Sequence, residues 1–316
     1  MDKRVIITVD IGASKIRFMA VNIRKELTEY LDTPMVSLVG WEIKNQELIK
    51  LLADNIQHSI VDAQKGGNIV SAISIGSPGS LDPIRGIILT PPNLQGIRHL
   101  AIVDELKQIF NLPVFLLNDA DASLLGERWL RDHKKLKDIV YITLSTGVGS
   151  GILKNNHLLD EKIELGHQPL ANEHEEQRLC SCGEINHVEA YLGTKGLAET
   201  YSMVFKTETS LKPEEWHSIS PKMREGIANE DSQWLAVQEK YAKYLAIFLK
   251  NTFLNFRPEL IILGGGIIFG NKPLLGKTEE ELKKIMPSEV INIELAQSGY
   301  NVNLGAAKHA FEEIAK

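Results

Sequence analysis

The chain has 316 residues, of which 43% are hydrophobic and 24% charged, and its formal net charge at pH 7 is −6. This length exceeds the size at which a single hydrophobic core usually stops growing, so two lobes are expected, and the composition is ordinary for a soluble globular protein. The acidic balance argues against a nucleic-acid-binding surface, which normally carries a basic stripe.

The sequence contains no candidate for a membrane-spanning or secretory segment. Its longest apolar runs, such as LIILGGGIIF, are too short to cross a bilayer and contain glycine. The first residues, MDKRVIITVD, pass from charged residues directly into a strand-like run, without the apolar region of a signal peptide. The only two cysteines, Cys180 and Cys182, are too close together for a usual structural disulfide. These features predict a cytoplasmic protein, without a membrane partner, whose thiols have a metal-binding or reactive role.

Two segments of the chain share one strand–turn–strand pattern. Residues 4–23 and residues 138–153 each open with a β-branched apolar run, cross a turn of small residues that contains a hydroxyl, and return to apolar residues. Two similar hairpins, separated by about the length of one lobe, predict a duplicated fold.

The other elements alternate strands with helices. Residues 68–82 are typical of a strand that ends in a Pro-Gly turn, residues 112–130 of a strand that leads into a helix, and residues 232–256 of an amphipathic helix. Pro258 then precedes a buried strand and a glycine turn, and a short amphipathic helix is predicted over residues 304–316. This alternation predicts the α/β class.

The polar stretch 206–231 carries the weakest pattern in the chain. It contains two prolines, Pro213 and Pro221, and no clear apolar period. We therefore expect it on an outer surface.

Three glycine turns each follow a predicted strand: Asp10–Lys15 (DIGASK), Ser145–Gly151 (STGVGSG) and Leu263–Ile267 (LGGGI). A turn of this kind can direct backbone N–H groups at phosphate oxygens, with a nearby acid close to a metal ion. None has the spacing of a P-loop, and one alone is explained as well by a hairpin turn. Three of them in one α/β protein suggest a nucleotide laid across a cleft between the lobes.

Asn118 and Asp119 form a polar pair where a predicted strand meets a predicted helix. Either residue can cap the helix. Alternatively, Asp119 is a general base, which requires only a carboxylate within hydrogen-bonding reach of a hydroxyl. The sequence pattern leaves both interpretations open.

The segment RLCSCGEINHVEAYL, residues 178–192, contains a candidate zinc site. Two thiolates and two imidazoles, from His167, Cys180, Cys182 and His187, would satisfy a closed tetrahedral site, which is typical of a structural metal. His174 is a rival for His167 as a ligand. The alternative is a pair of reduced surface cysteines with unrelated histidines.

Taken together, these motifs resemble those of the ROK family of sugar kinases and sugar-responsive repressors. The resemblance runs from residue 5 to about residue 310 and is carried by a set of motifs in the family's order: DIGASK, SIGSPGSLDPIRGIILTPPNL, NDADASLLGE, TLSTGVGSGI, ELGH, CSCGEINHVE, PELIILGGG and LGAA. The most specific part is the E-x-G-H motif followed by the C-x-C-G cluster and a glutamate.

The resemblance implies an α/β, two-lobed fold similar to actin and hexokinase, with duplicated ribonuclease H-like lobes and a cleft between them. The implied N-terminal lobe is residues 1–117, completed by the C-terminal helix 301–316, and the implied C-terminal lobe is residues 118–300 with the zinc-binding loop. The implied partners are a small-molecule sugar and ATP, and the chain is expected to form a homo-oligomer, either a dimer or a tetramer. The acidic charge, and not the resemblance, is the reason to expect no nucleic-acid partner.

The resemblance also implies roles for individual residues. Asp119 is similar to the base that deprotonates the sugar hydroxyl, most often O6. The implied sugar contacts are Gly79, Asn118, Asp119, Glu164, His167 and Glu189. The residues implied to hold the phosphates with Mg²⁺ are Asp10, Gly12, Ser14, Lys15, Thr146 and Gly147. Gly264, Gly265 and Gly266 are implied to lie near the adenosine.

The sequence departs from the family pattern at several positions. Ala13 and Ser14 replace the usual Gly-Thr of the first phosphate turn, Ser145 stands where glycine is usual, and residues 152–163 form a shortened, polar approach to Glu164. The family's zinc motif usually ends in Gly-Cys, whereas this chain has Asn186 and His187. Imidazole is an equally acceptable zinc ligand, so a site with two histidines and two cysteines is predicted.

Three functions are compatible with these residues. An ATP-dependent hexose kinase is favoured, with glucose as the first choice of sugar and N-acetylmannosamine, N-acetylglucosamine, fructose, mannose and allose as alternatives. A sugar-sensing regulator would retain many of the same sugar contacts, but it needs a DNA-reading domain, whereas the first core strand begins by residue 4. A non-catalytic zinc-stabilised binding protein would not need both Asp10 and Asp119 together with the glycine turns.

Overall fold

The structure is a computed structural model that describes residues 2–12, 15–28, 43–91, 96–131, 136–159, 163–170, 177–207, 211–269 and 271–316. Contacts between residues divide the chain into two compact units. Unit 1 consists of Met1–Lys134 and Tyr300–Lys316, and unit 2 of Lys135–Gly299. Among the described residues, no helix is long and apolar enough to cross a membrane.

Unit 1 is built on a five-stranded sheet with the order β3-β2-β1-β4-β7. The first three strands of this order are antiparallel neighbours, whereas β1, β4 and β7 are parallel. The short strands β5 and β6 pair separately. The strands are β1 (Arg4–Ile11), β2 (Ile16–Asn22), β3 (Leu27–Thr28), β4 (Ile69–Ser77), β5 (Leu81–Asp82), β6 (Ile87–Ile88) and β7 (Val114–Asn118). The helices are α1 (Asn45–Lys65), α2 (Ile102–Phe110), α3 (Asp119–Arg131) and, at the end of the chain, α10 (Asn301–Glu313).

Both faces of this sheet are covered, which explains the nearly continuous apolar sequence of β1. Alternate residues of a strand point to opposite faces. Val5, Ile7 and Val9 contribute to a core with α1 and α2, and Ile6 contributes to a second core with residues of α10. The strand is therefore buried on both sides, as expected when helices pack on a parallel sheet.

Helix α3 packs closely against α10, and glycines make this approach possible. A Cβ atom at Gly126 would overlap the backbone of Asn301, and one at Gly305 would overlap the backbone of Ala122. This contact groups α3 with unit 1. The resemblance implied a boundary between the lobes before residue 118, which would place α3 in the other lobe. The contact joins residues far apart in the chain, so no local pattern could reveal it.

Unit 2 repeats the arrangement of unit 1. Its sheet has the order β10-β9-β8-β11-β12, in which β10, β9 and β8 are antiparallel neighbours and β8, β11 and β12 are parallel. The strands are β8 (Ile139–Leu144), β9 (Val148–Lys154), β10 (His157–Leu158), β11 (Leu260–Gly264) and β12 (Ile293–Leu295). The helices are α4 (Val188–Leu192), α5 (Thr194–Phe205), α6 (Pro213–Trp216), α7 (Ile219–Ala228), α8 (Ser232–Phe256) and α9 (Lys272–Ile285), and Leu165–His167 forms one turn of 3₁₀ helix.

The stretch 206–231, expected on an outer surface, contributes α6 and α7 to this unit. Helix α7 buries Ile219, Met223 and Ile227 in the core. These residues recur every fourth position, which is the spacing of one helix face. The polar residues between them hid this short period.

Candidate functional site

The carboxyl ends of the parallel strands of unit 1 bring several predicted site residues to one edge of the sheet. In the strand register, Asp10 lies opposite Gly76 on β4, and Ser77 lies opposite Asn118 on β7. The turn after β4 contains Gly79, whose φ of +88° lies in the left-handed region that favours glycine. Asp10, the Gly79 turn and the Asn118–Asp119 pair therefore share an edge of the kind where ligands bind in α/β proteins.

Asn118 caps α3, as one of the two interpretations of the sequence proposed. Its Oδ1 accepts hydrogen bonds from the backbone N–H of Ala120 at 2.9 Å and of Asp121 at 3.4 Å. Asp119 is the first residue of α3, and its Oδ1 accepts from the N–H of Ala120 at 2.8 Å. The N-terminal end of a helix stabilises negative charge, so an acidic side chain suits this position.

Asp10, the second-to-last residue of β1, is influenced by two cationic side chains. Nη1 of Arg17 lies 3.4 Å from Oδ2 of Asp10, and the guanidinium of Arg17 lies 4.9 Å from the centre of the Tyr300 ring. Burial raises the pKa of the Asp10 carboxyl, while Arg17 and Lys15 act to lower it. Partial burial, and then Arg17, lower the pKa of the Lys15 amino group.

The first glycine turn is partly described. The backbone N–H of Gly12 donates to the carbonyl of Lys15 at 2.8 Å, which closes the turn between β1 and β2. Ala13 and Ser14, the two positions at which this turn departs from the family pattern, lie outside the described residues. The prediction that Ser14 contacts the phosphates therefore stays a prediction.

The second and third glycine turns lie side by side in unit 2. Thr143 of β8 is opposite Gly264 of β11, so the turns that follow these strands meet at the same sheet edge. Gly265 has a φ of +90°, and a Cβ atom there would overlap the backbone of Leu144. Both observations explain why glycine stands at this position.

Thr194 donates hydrogen bonds to the second glycine turn, a role that was not predicted from the sequence. Its Oγ1 and its backbone N–H donate to the carbonyl of Ser145 at 2.7 and 2.9 Å, and the N–H also reaches the carbonyl of Thr146 at 3.3 Å. Thr194 is the first residue of α5 and is buried. A hydroxyl residue at the start of a helix was the available signal, but its partner is distant in sequence.

Two residues of α7 hold the third glycine turn. The carbonyl of Gly266 accepts hydrogen bonds from Oγ of Ser220 at 3.2 Å and from Nη2 of Arg224 at 3.0 Å. Both donors come from the polar stretch that carried the weakest sequence pattern. Nothing in the local sequence indicates this contact.

Glu189 connects the cysteine segment to the second glycine turn. Its Oε2 accepts a hydrogen bond from the N–H of Val148 at 3.2 Å and lies where a Cβ atom at Gly147 would be. Its Oε1 accepts from the hydroxyl of Ser181, and Sγ of Cys180 lies 3.7 Å away. One carboxylate therefore contacts both the predicted metal loop and the predicted phosphate turn.

The carboxyl of Glu164 interacts electrostatically with both His167 and Glu189. Desolvation raises the pKa of the Glu164 carboxyl, His167 acts to lower it, and Glu189 acts to raise it. The glutamate of the E-x-G-H motif thus interacts both with the histidine of the same motif and with the carboxylate that follows the cysteines.

Three of the four predicted zinc ligands form a cluster. Nitrogen or sulfur atoms of His167, Cys180 and Cys182 all lie within 4.8 Å of one another. His187 adjoins this group, because its Nδ1 is 3.2 Å from Sγ of Cys182 and its ring stacks on that of His167 with centroids 5.5 Å apart. Thiolate and imidazole donors at these separations fit a zinc ion. His174, the rival ligand, lies outside the described residues.

Comparison with known proteins identifies the family. The sequence profile of the ROK family matches residues 6–310. The chain belongs to the ROK family. Its relatives include a xylose repressor of Caldicellulosiruptor bescii, 28% identical over 290 residues that cover 88% of this chain and 70% of the repressor. They also include a glucokinase of Thermotoga maritima, 31% identical over 240 residues that cover 72% of this chain and 74% of the glucokinase.

The fold class predicted from the sequence is confirmed. The ROK hexokinase of Thermus thermophilus superimposes with a TM-score of 0.76 at 25% identity, covering 98% of this chain and 99% of the hexokinase. The ROK chain described here therefore has the two-lobed α/β fold of actin and hexokinase, with the same sheet repeated in each unit. Since kinases and repressors both occur among its relatives, family membership alone does not decide between catalysis and regulation.

Proposed function

We propose that the protein is an ATP-dependent sugar kinase that phosphorylates a hexose, with glucose at O6 as the first choice. The observation that carries the proposal is that Asp10 and Asp119 lie at one sheet edge, at the carboxyl ends of β1 and β7, the parallel strands on either side of β4. A binding protein needs sugar contacts alone. Phosphoryl transfer also needs a general base and a carboxylate near the phosphates that can bind Mg²⁺. The glucokinase relative supports the same assignment.

Asp119 is the proposed general base. Its carboxylate would accept the proton of the sugar hydroxyl while the hydroxyl oxygen bonds to the γ-phosphorus and ADP leaves with the electrons of the broken P–O bond. A positioned base typically contributes about 10²–10⁴-fold to such a rate, and the remainder is positioning and charge neutralisation. The contacts of Asn118 and Asp119 with the first turn of α3 would orient this carboxylate.

The glycine turns are the proposed nucleotide contacts. Gly12 and Lys15 with Ser14, together with Thr146 and Gly147, would bind the phosphates, and Gly264–Gly266 would lie near the adenosine. The Asp10 carboxylate is the kind of oxygen ligand that Mg²⁺ prefers, so it fits the ion that accompanies ATP. When bound, Mg²⁺ supplies charge neutralisation at the phosphate oxygens.

The sugar is proposed to contact Gly79, Asn118, Glu164, His167 and Glu189. A zinc ion held by His167, Cys180, Cys182 and His187 would fix two of these sugar contacts, Glu164 and Glu189, relative to each other. Such a closed site supplies structural rigidity, and the reacting phosphate needs no contact with it.

A sugar-responsive regulator is the second candidate, favoured by the xylose repressor relative. It shares the proposed sugar contacts but requires no phosphoryl transfer. Turnover therefore separates the two candidates.

The deciding experiment is an ADP-release assay with ATP and a panel of glucose, mannose, fructose, allose, N-acetylglucosamine and N-acetylmannosamine. We expect turnover with at least one sugar, glucose first.

We expect Asp119→Asn to lower kcat by about 10²–10⁴-fold, because the amide cannot accept the proton. Sugar affinity, measured by calorimetric titration, should be retained. Asp104→Asn, at an exposed position on α2, is the matched control and should leave turnover unchanged. Sugar binding without turnover would favour the regulator, and full turnover in Asp119→Asn would refute the base assignment.

Metal analysis tests the zinc site separately. We expect about one zinc per chain, and less in His187→Ala, because a tetrahedral site needs its fourth ligand. His217→Ala, at an exposed histidine, should retain the metal. If His187→Ala also retained full zinc, another residue, such as His174, would be the ligand.

A further inference from the structure

Asn186 joins the two ends of the cysteine loop, defined here as residues 178–187. The N–H of Asn186 donates to the carbonyl of Arg178 at 2.8 Å, and the N–H of Arg178 donates to Oδ1 of Asn186 at 3.0 Å. The hydroxyl of Tyr191 donates to the same Oδ1 at 2.8 Å. Because a backbone N–H can only donate, the amide atom that faces it must be the oxygen. Asn186 thus serves two donors with one acceptor.

The backbone of Asn186 is also unusual. Its φ of +59° lies in the left-handed region, which asparagine tolerates better than most residues. Its carbonyl accepts from the N–H of Leu170 at 2.8 Å, next to the segment that carries His167. Side chain and backbone of this residue therefore connect both ends of the cysteine loop to its surroundings.

Arg178 anchors the other end of the loop in the core of unit 2. Its side chain is only 4% exposed. Nη1 donates to the carbonyl of Gly196 at 3.0 Å and to Oγ1 of Thr200 at 3.1 Å. Its guanidinium lies 4.8 Å from the centre of the Tyr191 ring and 5.3 Å from that of Tyr244. A buried guanidinium with these partners has little freedom to move.

Tyr191 connects these contacts to the helix that carries Glu189. Tyr191 donates a hydrogen bond to Asn186, and its ring lies against the guanidinium of Arg178. It belongs to the same five-residue helix as Glu189. A helix this short is held by its tertiary contacts, because its own hydrogen bonds are too few to stabilise it. The position of the Glu189 carboxylate against Gly147 and the Val148 N–H therefore depends on the Asn186–Arg178–Tyr191 cluster.

We propose that Asn186 is a positioning residue for Glu189, acting with Arg178 and Tyr191, and that it sets the affinity for the sugar. This inference rests on the proposed function, because it assumes that Glu189 contacts the sugar. It adds a requirement beyond the proposed zinc ligands. Residue 186 must provide a hydrogen-bond acceptor that keeps α4 in place against the cysteine loop.

Two substitutions at residue 186 separate the acceptor from the backbone conformation. Asn186→Gly keeps the left-handed φ without strain but removes the acceptor. Asn186→Asp keeps an oxygen for both donors. We expect KM for the sugar to rise about tenfold in Asn186→Gly, with smaller changes in kcat and in KM for ATP, because a partly buried acceptor of two hydrogen bonds is lost. Asn186→Asp should stay within about twofold of the parent protein, and Tyr191→Phe should show part of the Gly effect.

The matched control on the same loop is Glu184→Gln, whose exposed side chain should leave all constants unchanged. A rise of KM in Asn186→Asp equal to that in Asn186→Gly, or no rise in either, would overturn the proposal. A loss of stability in Asn186→Gly without a change in sugar KM would also overturn it, since the role would then be purely structural.

Hydrogen exchange at the Val148 amide tests the positioning step without any sugar. This N–H donates to Glu189, so its protection reports where the carboxylate lies. We expect protection in the parent protein and in Asn186→Asp, and faster exchange in Asn186→Gly while the amides of β8 keep their protection. Unchanged Val148 exchange would overturn the positioning role. Absence of sugar binding in the parent protein would instead refute the proposed function, so the two failures are distinguishable.

Discussion

At the scale of single residues, the contact between Gly147 and Glu189 connects the proposed phosphate contacts of unit 2 with its proposed sugar contacts. Gly147 belongs to the turn proposed to bind phosphates, and Glu189 is proposed to bind the sugar. The carboxylate occupies the space that a side chain at residue 147 would need and also accepts the N–H of Val148. A glycine at this position therefore leaves room for the Glu189 carboxylate.

This contact predicts the effect of Gly147→Ala. The added methyl group would displace the carboxylate of Glu189, which is the end of a flexible side chain, so the fold should tolerate the change. We expect KM for the sugar to rise about tenfold through the lost carboxylate contact, while the free energy of unfolding changes by less than about 1 kcal/mol. Steady-state kinetics and denaturant unfolding measure the two effects.

Gly276→Ala is the matched control for this substitution. Gly276 lies within α9, and a Cβ atom there meets no other atom within 4 Å. Alanine in a helix interior is more favourable than glycine by about 0.5–1 kcal/mol. The control should therefore be more stable than the parent protein with unchanged kinetics. Equal sugar KM values in the two variants would show that the Glu189 contact does not matter for binding.

At the scale of elements, α7 supports the turn proposed to lie near the adenosine. Ser220 and Arg224 are one turn apart on this helix, and both donate to the carbonyl of Gly266. The apolar face of α7 is buried in the core of unit 2, which holds these donors in place. A segment that looks like a surface connection in the sequence thereby becomes part of the candidate nucleotide site.

Arg224→Ala should weaken ATP binding more than sugar binding. The hydrogen bond to Gly266 is exposed, so its loss should cost about 1 kcal/mol or less, which is a rise in KM for ATP of roughly three- to fivefold. Lys222→Ala removes another exposed cation from α7 and serves as the control for net charge. The same rise in both variants would mean that charge, and not the Gly266 contact, is responsible.

At the scale of the whole molecule, the chain returns to its first unit at the end. Helix α10 belongs to unit 1, and His309 on this helix makes an edge-on contact with Phe115 of β7, with ring centroids 5.7 Å apart. Burial lowers the pKa of His309, Glu313 and Glu312 act to raise it, and Lys316 acts to lower it. The titration of His309 therefore reports the docking of the C-terminal helix.

The lowered pKa predicts how stability depends on pH. The folded protein favours the neutral imidazole, whereas the unfolded chain takes up a proton at the ordinary pKa of 6.5. The contribution of His309 to stability is therefore present above that value and is lost as the pH falls through it towards the lower pKa of the folded state. In His309→Gln, the free energy of unfolding should fall less steeply between about pH 7 and pH 5. Denaturant unfolding at several pH values measures the slopes, and parallel slopes for both proteins would contradict the prediction.

Local patterns predicted much of the fold because the physical rules behind them act over a few residues. The hairpins β1–β2 and β8–β9, the strand-to-helix junction at Asn118 and the long helix α8 all follow from apolar period, turn residues or caps. The candidate site residues could be selected for the same reason, since glycine turns and polar residues at strand ends mark the carboxyl edge of a sheet. The roles of these residues came from the family resemblance and stay proposals.

The sequence by itself determined the α/β alternation, the duplicated hairpins, the family and the presence of Cys180, Cys182 and His187 in one loop. The tertiary structure alone decided which distant groups hold these motifs: Thr194 on Ser145, Arg224 on Gly266, Glu189 on Gly147, and α10 on α3. Each of these contacts depends on the distance between segments remote in the chain. No short-range period encodes such a distance, because it is set by how the elements pack.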